Sequence, residues 1–508
     1  MKSKKAITAI ITISAILIVA VVGIITFQSW YGYFNSVLIT DVEEEKKSFD
    51  SNVELKYIQG NDLYLNNEGE ADFLVNKIKA NGVDCSVNNI TISSGINNIS
   101  IPRCLTTDAR VIDLTVIGED KIIEKKFYFE GRPFICFSTP PQGFHSGDGS
   151  LSNPFEICNC EQLQNMTNYL DSNFSLIKDI NCSDTINWNS GNGFIPIGPY
   201  PSYFKGSLNG QNYSVQNLFI NKSGFGVGLI GSMQNGNITD LGLINISVFG
   251  GSQTGGLVGL IYLGHDNNIN NVYTTGRVIS SGNSVGGIVG ESYGSAYPGG
   301  SANLDNTYSM TNVSGLNYVG GLVGFFYSGG NLTGSYFSGR ITGTTYVGGL
   351  VGKFQAAGRV ENSYSKGIIT GSGNSIGGLV GEQTIGKVYD SYSSVNISGN
   401  NNVGGLIGYI DDTFFMSITE NSFATGNVSG SGNRGGLVGN NHQGTIINSS
   451  WNNHSANPTN GIGLDDNGQS TTTIQNNISY FYYQTSPPMN LWNASVWNWS
   501  DSALPTLK

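Results

Sequence analysis

Residues 319–340 read VGGLVGFFYSGGNLTGSYFSGR, and the pentad GGLVG at 320–324 returns along the chain with small changes. Its central residue falls at Leu229, Leu257, Ile288, Leu322, Leu350, Leu379, Leu406 and Leu437, at intervals of 28, 31, 34, 28, 29, 27 and 31 residues. A second mark lies between pentads, the third residue of an Asn-Ser-Tyr-like triplet. It is Tyr273, Tyr308, Tyr336, Tyr364, Tyr392 and Phe423, with Gly242 and Ser450 in the end repeats. A period near thirty residues denotes stacked units, none of which can bury its apolar face alone. Several glycines per unit disfavour helix, at about 1 kcal/mol each relative to Ala. Short alternating runs such as GRITG, NVSG and GLVG suit strands instead. Two or three of them with their turns make one coil of a parallel β-solenoid, and coils about 4.8 Å apart give eight repeats a length of roughly 40 Å. Pentad Leu and Val and the triplet aromatics are then expected to stack on their own kind, inside or along the wall. The glycines are expected at corners with positive φ.

The intervals divide unevenly. From pentad centre to triplet mark they vary between 13 and 20 residues, whereas from triplet mark to the next pentad they are 14 or 15. Insertions in a stacked rod must leave the wall as loops, so these should emerge along one side. The longest are 260–270, 291–305 and 409–419. Their Tyr262, Asp266, Tyr293, Tyr297, Asp411 and Phe414 are candidate contacts for sugars or protein surfaces; neutral decoration is the competing reading.

Composition and the first segment set the compartment. Charged residues are 12% of the 508, and the net charge is −11, which excludes the clustered Lys and Arg that nucleic acid rewards. A basic start, MKSKK, precedes an uncharged run of 22 residues at 6–27. That run is long enough to cross a bilayer of roughly 30 Å as a helix. The lysines place everything after Trp30 outside; a removable signal would have a shorter apolar core. About eighteen Asn-x-Ser/Thr sequons and six cysteines suit an exterior, oxidising location.

Between 46 and 130 the apolar residues alternate with period two, as in Val53, Leu55 and Tyr57 or Leu114 and Val116. With Asn-Gly, Glu-Gly and Ser-Gly punctuation this predicts a small β-sandwich, with Cys85 paired to Cys104. Residues 131–150 read as a linker. Residues 151–222 read as a solenoid N-terminal cap, with Leu163, Met166 and Leu170 on one helical face and Asn159 as N-cap. Cys160–Cys182 is the expected bridge there, leaving Cys136 and Cys158 as a second pair, although four cysteines allow three pairings. The repeats fill 223–455. Residues 456–508 close the far end with aromatics that include Trp492, Trp497 and Trp499.

Two resemblances attach to these motifs. The Lys4-Lys5-Ala6-Ile7 junction, the aliphatic stretch, FQSWYGYF at 27–34 and LYLNNEGEADF at 63–73 resemble an archaeal type IV pilin. The resemblance implies cleavage between Ala6 and Ile7, a transmembrane helix over 7–45 after the 1–6 leader, and other pilin-like subunits as partners. The chain lacks a glutamate near the start of the mature helix and is far larger than a major pilin. VGGLVG at 319–324 and 347–352, IGGLVG at 376–381 and the NSY triplet at 362–364 resemble the GLUG repeat of large bacterial and archaeal surface proteins. That resemblance implies architecture, with non-catalytic repeats.

Chemistry is hard to find. In the row directly after the later pentads, Glu291 and Glu382 stand three coils apart, roughly 14 Å at about 4.8 Å per coil, too wide for a glycosidase pair. Asp411-Asp412 and Asp465-Asp466 read as solvated turns or weak cation sites. His145, His265, His442 and His454 show no ligand spacing. No cofactor is expected beyond a weakly held structural calcium ion near 265–270 or 464–469, which lack the usual calcium-loop pattern. The expected protein is all-β: a parallel β-helix of about eight GLUG coils preceded by a transmembrane helix and a small β-sandwich. Its expected function is that of a membrane-anchored adhesin or pilus-associated protein that is not an enzyme and meets cell-surface glycans or proteins. The alternative is a secreted polysaccharide lyase or hydrolase.

Overall fold

The computed structural model describes residues 53–59, 62–67, 73–80, 83–85, 90–93, 95–100, 111–118, 122–128, 136 and 143–508, the last without 263–265, 294–299, 328, 413–415, 454–456, 467–469 and 471. Ala6, Ile7, the 7–45 helix and Cys104 lie outside these residues. Among the described residues no helix is long and apolar enough to cross a membrane. Two compact units divide at residue 136.

Among the described residues the first unit holds two antiparallel sheets. Val53–Gln59, Asp62–Asn67 and Gly95–Ser100 form one. Phe73–Ala80, flanked by Val83–Asp84, Ile90–Ile92 and Val111–Gly118, forms the other, which Ile122–Tyr128 extends. Alternation has the expected result: Leu63, Leu65 and Asn67 are buried while Tyr64 and Asn66 between them are half-exposed. Asn67 Nδ2 donates to Ile92 O at 3.0 Å and so joins the two sheets. Cys85 is disulfide-bonded.

The second unit is a parallel β-solenoid. Three strand rows run along it: the triplet strands, a row of eight short strands leading into the pentads, and the strands that leave them. Pentad centres sit rung above rung. Leu322 N donates to Leu350 O at 2.9 Å, Leu350 N to Leu379 O at 2.8 Å, and Leu379 N to Leu406 O at 2.7 Å. Ile462–Asp465 and Thr472–Gln475 add a ninth turn beyond the eight pentads, without the pentad residues. Parallel register also begins earlier, because Phe155–Ile157, Asn173–Leu176 and Ser207–Asn209 already stack beneath Asn237–Gly250.

Each residue of the repeat has a distinct task. Pentad Leu and Val point inward and are buried throughout, as are Val319, Val347, Ile376 and Val403 just before the glycines. Burial of each such side chain stabilises the rod by about 1.5–3 kcal/mol. The pentad glycines are not at positive-φ corners, and that expectation is corrected. A Cβ on Gly349 would lie 1.9 Å from Gly378 O, and one on Gly378 would lie 2.0 Å from Gly405 O. Glycine is required there because neighbouring backbones touch. The left-handed corners belong to the residue four before six of the eight centres, such as Tyr346 (φ 59) and Asn402 (φ 50), to the first triplet residue, such as Asn362 (φ 47), and to some glycines outside the pentad, such as Gly276 and Gly367 (both φ 118). Asn tolerates that conformation with little strain, Tyr much less readily.

The triplet's second residue builds an internal ladder. Ser335 N donates to Ser363 Oγ at 3.1 Å, Ser363 N to Ser391 Oγ at 3.1 Å, and Ser391 N to Ser422 Oγ at 3.3 Å. Each Oγ donates in turn to the carbonyl two residues earlier, at 2.8 Å from Ser363 to Glu361 and 2.5 Å from Ser391 to Tyr389. Buried hydroxyls are thereby satisfied. The third residue stacks outside. Tyr273, Tyr308, Tyr336, Tyr364, Tyr392 and Phe423 lie with centroids 5.0, 4.7, 4.9, 5.0 and 4.8 Å apart and planes within 6°.

The leading segment closes one end. Asn159 Oδ1 caps the helix Cys160–Asn165 by accepting from Gln162 N at 2.8 Å. Leu163 and Met166 turn into the core, and Phe144, Phe155 and Phe174 cluster beside them. Residues 145 and 146 pair along the outer edge of the first strand, His145 N to Glu156 O and Glu156 N to Ser146 O, both 3.0 Å. Disulfides join Cys136 to Cys158 and Cys160 to Cys182. Each closes a loop of 22 residues, worth about 3 kcal/mol in the chain-entropy account.

The C-terminal aromatics lie along the flank. Phe481 stacks on Phe423 at 4.7 Å, in the place beside Ser450 that the ladder leaves empty. Trp492 and Trp497 lie over Phe423 and Tyr392, Trp492 Nε1 donates to Asn421 O at 2.7 Å, and Tyr392 Oη donates to Pro505 O at 2.6 Å. The rings expected across a last coil gather here because the tyrosine ladder offers a continuous apolar surface.

Candidate binding face

The strands that leave the pentads carry an outward face. Their alternation turns Leu260, Glu291, Phe325, Lys353, Glu382, Tyr409 and Asn440 to one side, paired rung to rung in that order. Tyr262, Tyr293 and Tyr327, two residues further along, form a second row. The insertions leave the wall where these strands end. Tyr262 pairs with Tyr293 before the gap and Asn267 with Ala302 after it, while Asp411 pairs with His442. The described residues that bound these insertions therefore fall at one corner of the coil.

Aromatic side chains run along the N-terminal half of this face in an unbroken path. Phe225, Tyr200, Tyr203, Tyr262, Tyr293 and Tyr327 follow one another at 5.8, 5.8, 5.4, 6.5 and 5.9 Å between centroids. The path continues through Phe325 and Tyr318 to Tyr346, where Lys353 Nζ lies 5.4 Å from the ring centroid. Phe225, Tyr200, Tyr262 and Tyr293, with Leu260, Ser252 and Gln253, line a groove of about 370 Å³.

The other half is polar. Lys353 Nζ bonds Glu382 Oε1 at 2.7 Å. Burial pushes the Glu382 carboxyl above the usual range, and the Lys353 ammonium opposes the shift. Burial likewise raises Glu291, against hydrogen bonds from Ser284 and Gln253. Phe325 and Lys353 stand in the register between these two carboxylates. Further on, His442 Nδ1 lies 3.2 Å from Asp466 Oδ2. Among the described residues no group of three or more His, Cys, Asp or Glu is placed to hold a metal ion.

Of the six loop residues singled out from sequence, Tyr262 and Tyr293 meet on adjacent rungs. Asp266 is bonded at its own corner, accepting from Ser301 N at 3.0 Å and Ser301 Oγ at 2.7 Å. Asp411 stands five rungs from Tyr262, roughly 24 Å at about 4.8 Å per rung, so the two do not share a site. Tyr297 and Phe414 lie outside the described residues. Tyr327, Tyr318 and Tyr346 were missed, although their fixed offsets from the pentad centre were a usable signal. Tyr200 and Phe225 carry no periodic signal, since one comes from the leading segment and the other from the first, irregular repeat.

The family described as the GLUG motif matches residues 343–370 and 399–429. Halomucin of Haloquadratum walsbyi is 38% identical over 122 residues, 23% of this chain and 1% of halomucin. The "Putative Gly-rich membrane protein" of Evansella cellulosilytica is 35% identical over 104 residues, 20% of this chain and 12% of that protein. The chain thus matches a small part of the length of either relative. Among solved structures, the "putative immunoglobulin A1 protease" from Bacteroides ovatus is 21% identical with a TM-score of 0.43, over 72% of this chain and 95% of that one. An "IgA1 Protease" is 14% identical with a TM-score of 0.31, over 80% and 28%. This chain carries GLUG motifs on a parallel β-solenoid.

Proposed function

We propose that this chain is a non-catalytic cell-surface protein, an adhesin or pilus-associated subunit, whose β-solenoid holds an attachment face away from the membrane. The observation that carries the reading is the unbroken path of rings from Phe225 to Tyr346 on one flank of a rod whose rungs are locked in register. A rigid scaffold with an irregular, ring-rich flank suits recognition by surface area. On this reading residues 7–45 anchor the chain, cleavage between Ala6 and Ile7 admits it to a filament with other pilin-like subunits, and no cofactor takes part. Surface glycans or proteins are the partners. The names of the two curated relatives, a halomucin and a Gly-rich membrane protein, agree with an exterior location.

Cells displaying the full chain should attach to a partner surface several-fold better than cells displaying a form with Tyr262→Ala, Tyr293→Ala and residues 294–299 deleted. Equal attachment would remove the adhesin reading. Depolymerisation of a polysaccharide that disappears on Glu291→Gln, Glu382→Gln or Asp411→Asn would establish the enzyme alternative instead. N-terminal sequencing of the mature protein should begin at Ile7; an intact Met1 would leave a plain signal anchor.

A further inference from the structure

The groove at the N-terminal end of the face has a chemistry of its own. Phe225, Tyr200 and Tyr293 are 55%, 48% and 50% exposed, and all three belong to this one hollow. Large rings left together in water mark an interaction site more often than a neutral surface. Their mutual angles keep the hollow open. Phe225 and Tyr200 cross at 62°, and Tyr262 and Tyr293 at 55°, so ring faces and edges both line the space. We infer that this groove binds an uncharged saccharide, a conclusion that deepens the attachment reading and rests on it.

Three observations select that ligand class. Among the described residues no Lys, Arg, Asp or Glu lines the groove, and the Glu291 carboxylate beside it is engaged by Gln253 and Ser284, so an anionic group would find no counter-charge there and a cationic one only a carboxylate already hydrogen-bonded. The polar atoms that do line it are hydroxyl and amide groups, from Ser252, Gln253 and the tyrosines. These donate to and accept from sugar hydroxyls while ring faces take the apolar C–H face of a pyranose. Gln253 is also fixed in place: its backbone sits at φ 53 and its side chain bonds Glu291. Beyond Tyr293 the path continues to Tyr327 one rung on, so the hollow is extended along the rod and suits successive rings of a linear oligosaccharide. A quaternary ammonium also favours aromatic walls, but it does best in a box closed on several sides, and this groove is an open hollow on the surface.

The test uses the full chain on an array of neutral oligosaccharides, with sulfated oligosaccharides and trimethylammonium compounds as competitors. A neutral hit should bind at least ten-fold more weakly to Tyr293→Ala and to Phe225→Ala. The same hit should bind normally to Tyr308→Ala on the opposite ladder. Circular dichroism of each variant separates lost binding from lost fold, and Tyr293→Phe, which keeps the ring, should retain most affinity. Unchanged binding by Tyr293→Ala and Phe225→Ala, or displacement by trimethylammonium or sulfated ligands alone, overturns the inference. If cells still attach while no neutral saccharide binds, the groove assignment fails and the adhesin reading survives; if neither occurs, both fail.

Discussion

Two aromatic rows run along this solenoid, and they behave differently. The triplet ladder holds its rings within 6° of coplanar at 4.7–5.0 Å, and its C-terminal half is sealed by Phe481, Trp492 and Trp497. On the candidate binding face the ring planes differ by 31° to 82° between Phe225 and Tyr327, at 5.4–6.5 Å, and half the surface of several rings stays in water. The chemistry is the same, since both are tyrosine-rich. What differs is the setting: the triplet rings follow a continuous serine ladder and stack as part of the frame. Tyr262, Tyr293 and Tyr327 share an offset too, but they stand where their strands end, before insertions of unequal length, and Tyr200 and Phe225 come from outside the regular repeats, so these ring faces stay tilted and available.

The sharpest way to break this contrast is Tyr392→Ala. The ring is fully buried, stacked on both sides and hydrogen-bonded to Pro505, so its loss should lower stability by about 3–5 kcal/mol. Urea unfolding read by tryptophan fluorescence reports it directly, because Trp492 and Trp497 lie on that ring. A midpoint near that of the unaltered protein would mean the ladder is ornament.

Next in size is Ser363→Ala inside the wall. It removes an acceptor for Ser335 N and a donor to Glu361 O, leaving buried polar groups unmatched, and should cost about 1–3 kcal/mol. Thermal unfolding would show it, and Ser363→Thr should recover part of the loss.

Asp390 gives a smaller, pH-dependent effect. It occupies a left-handed corner that Asn fills at Asn362 and Asn421. Burial, with the Glu361 and Glu420 carboxylates adding to it and an Asn421 hydrogen bond opposing, raises its pKa to about 6. A carboxyl raised above its unfolded value favours the native state when protonated; that stabilisation is whole below about pH 4 and is lost as pH rises through 6. Asp390→Asn should therefore stabilise the protein by about 1 kcal/mol at pH 7.5, after allowance for solvent screening, and have no effect near pH 3.5. A pH-independent difference would contradict the assignment.

The smallest effect is expected on the open face. Tyr293→Ala should change stability by no more than about 0.5 kcal/mol while altering attachment. A larger loss in calorimetry would make that row structural too, and the contrast between flanks would vanish.

How much of this was legible in the chain follows the same division. Rung register was readable because Leu322, Leu350, Leu379 and Leu406 repeat at nearly equal spacing, and the unequal half-intervals pointed to the one corner where the strands that bound the insertions end. The reason for the pentad glycines was not. Spacing shows that glycine recurs, but only the backbone approach of Gly349 to Gly378 O distinguishes crowding from a left-handed turn. The position of the C-terminal aromatics was hidden because Tyr392 and Pro505 are 113 residues apart and meet once, without repetition. The groove was half visible: Tyr262 and Tyr293 lie in the repeats, whereas Tyr200 and Phe225 reach it only through the fold.

The return of the last residues to the tyrosine flank has a mechanical consequence. Tension applied near Lys508 does not reach the ninth turn directly. It first loads the clasp of Trp492 on Asn421 and Pro505 on Tyr392, in shear across several rungs, so a force-extension trace should show that clasp rupturing before any rung unzips.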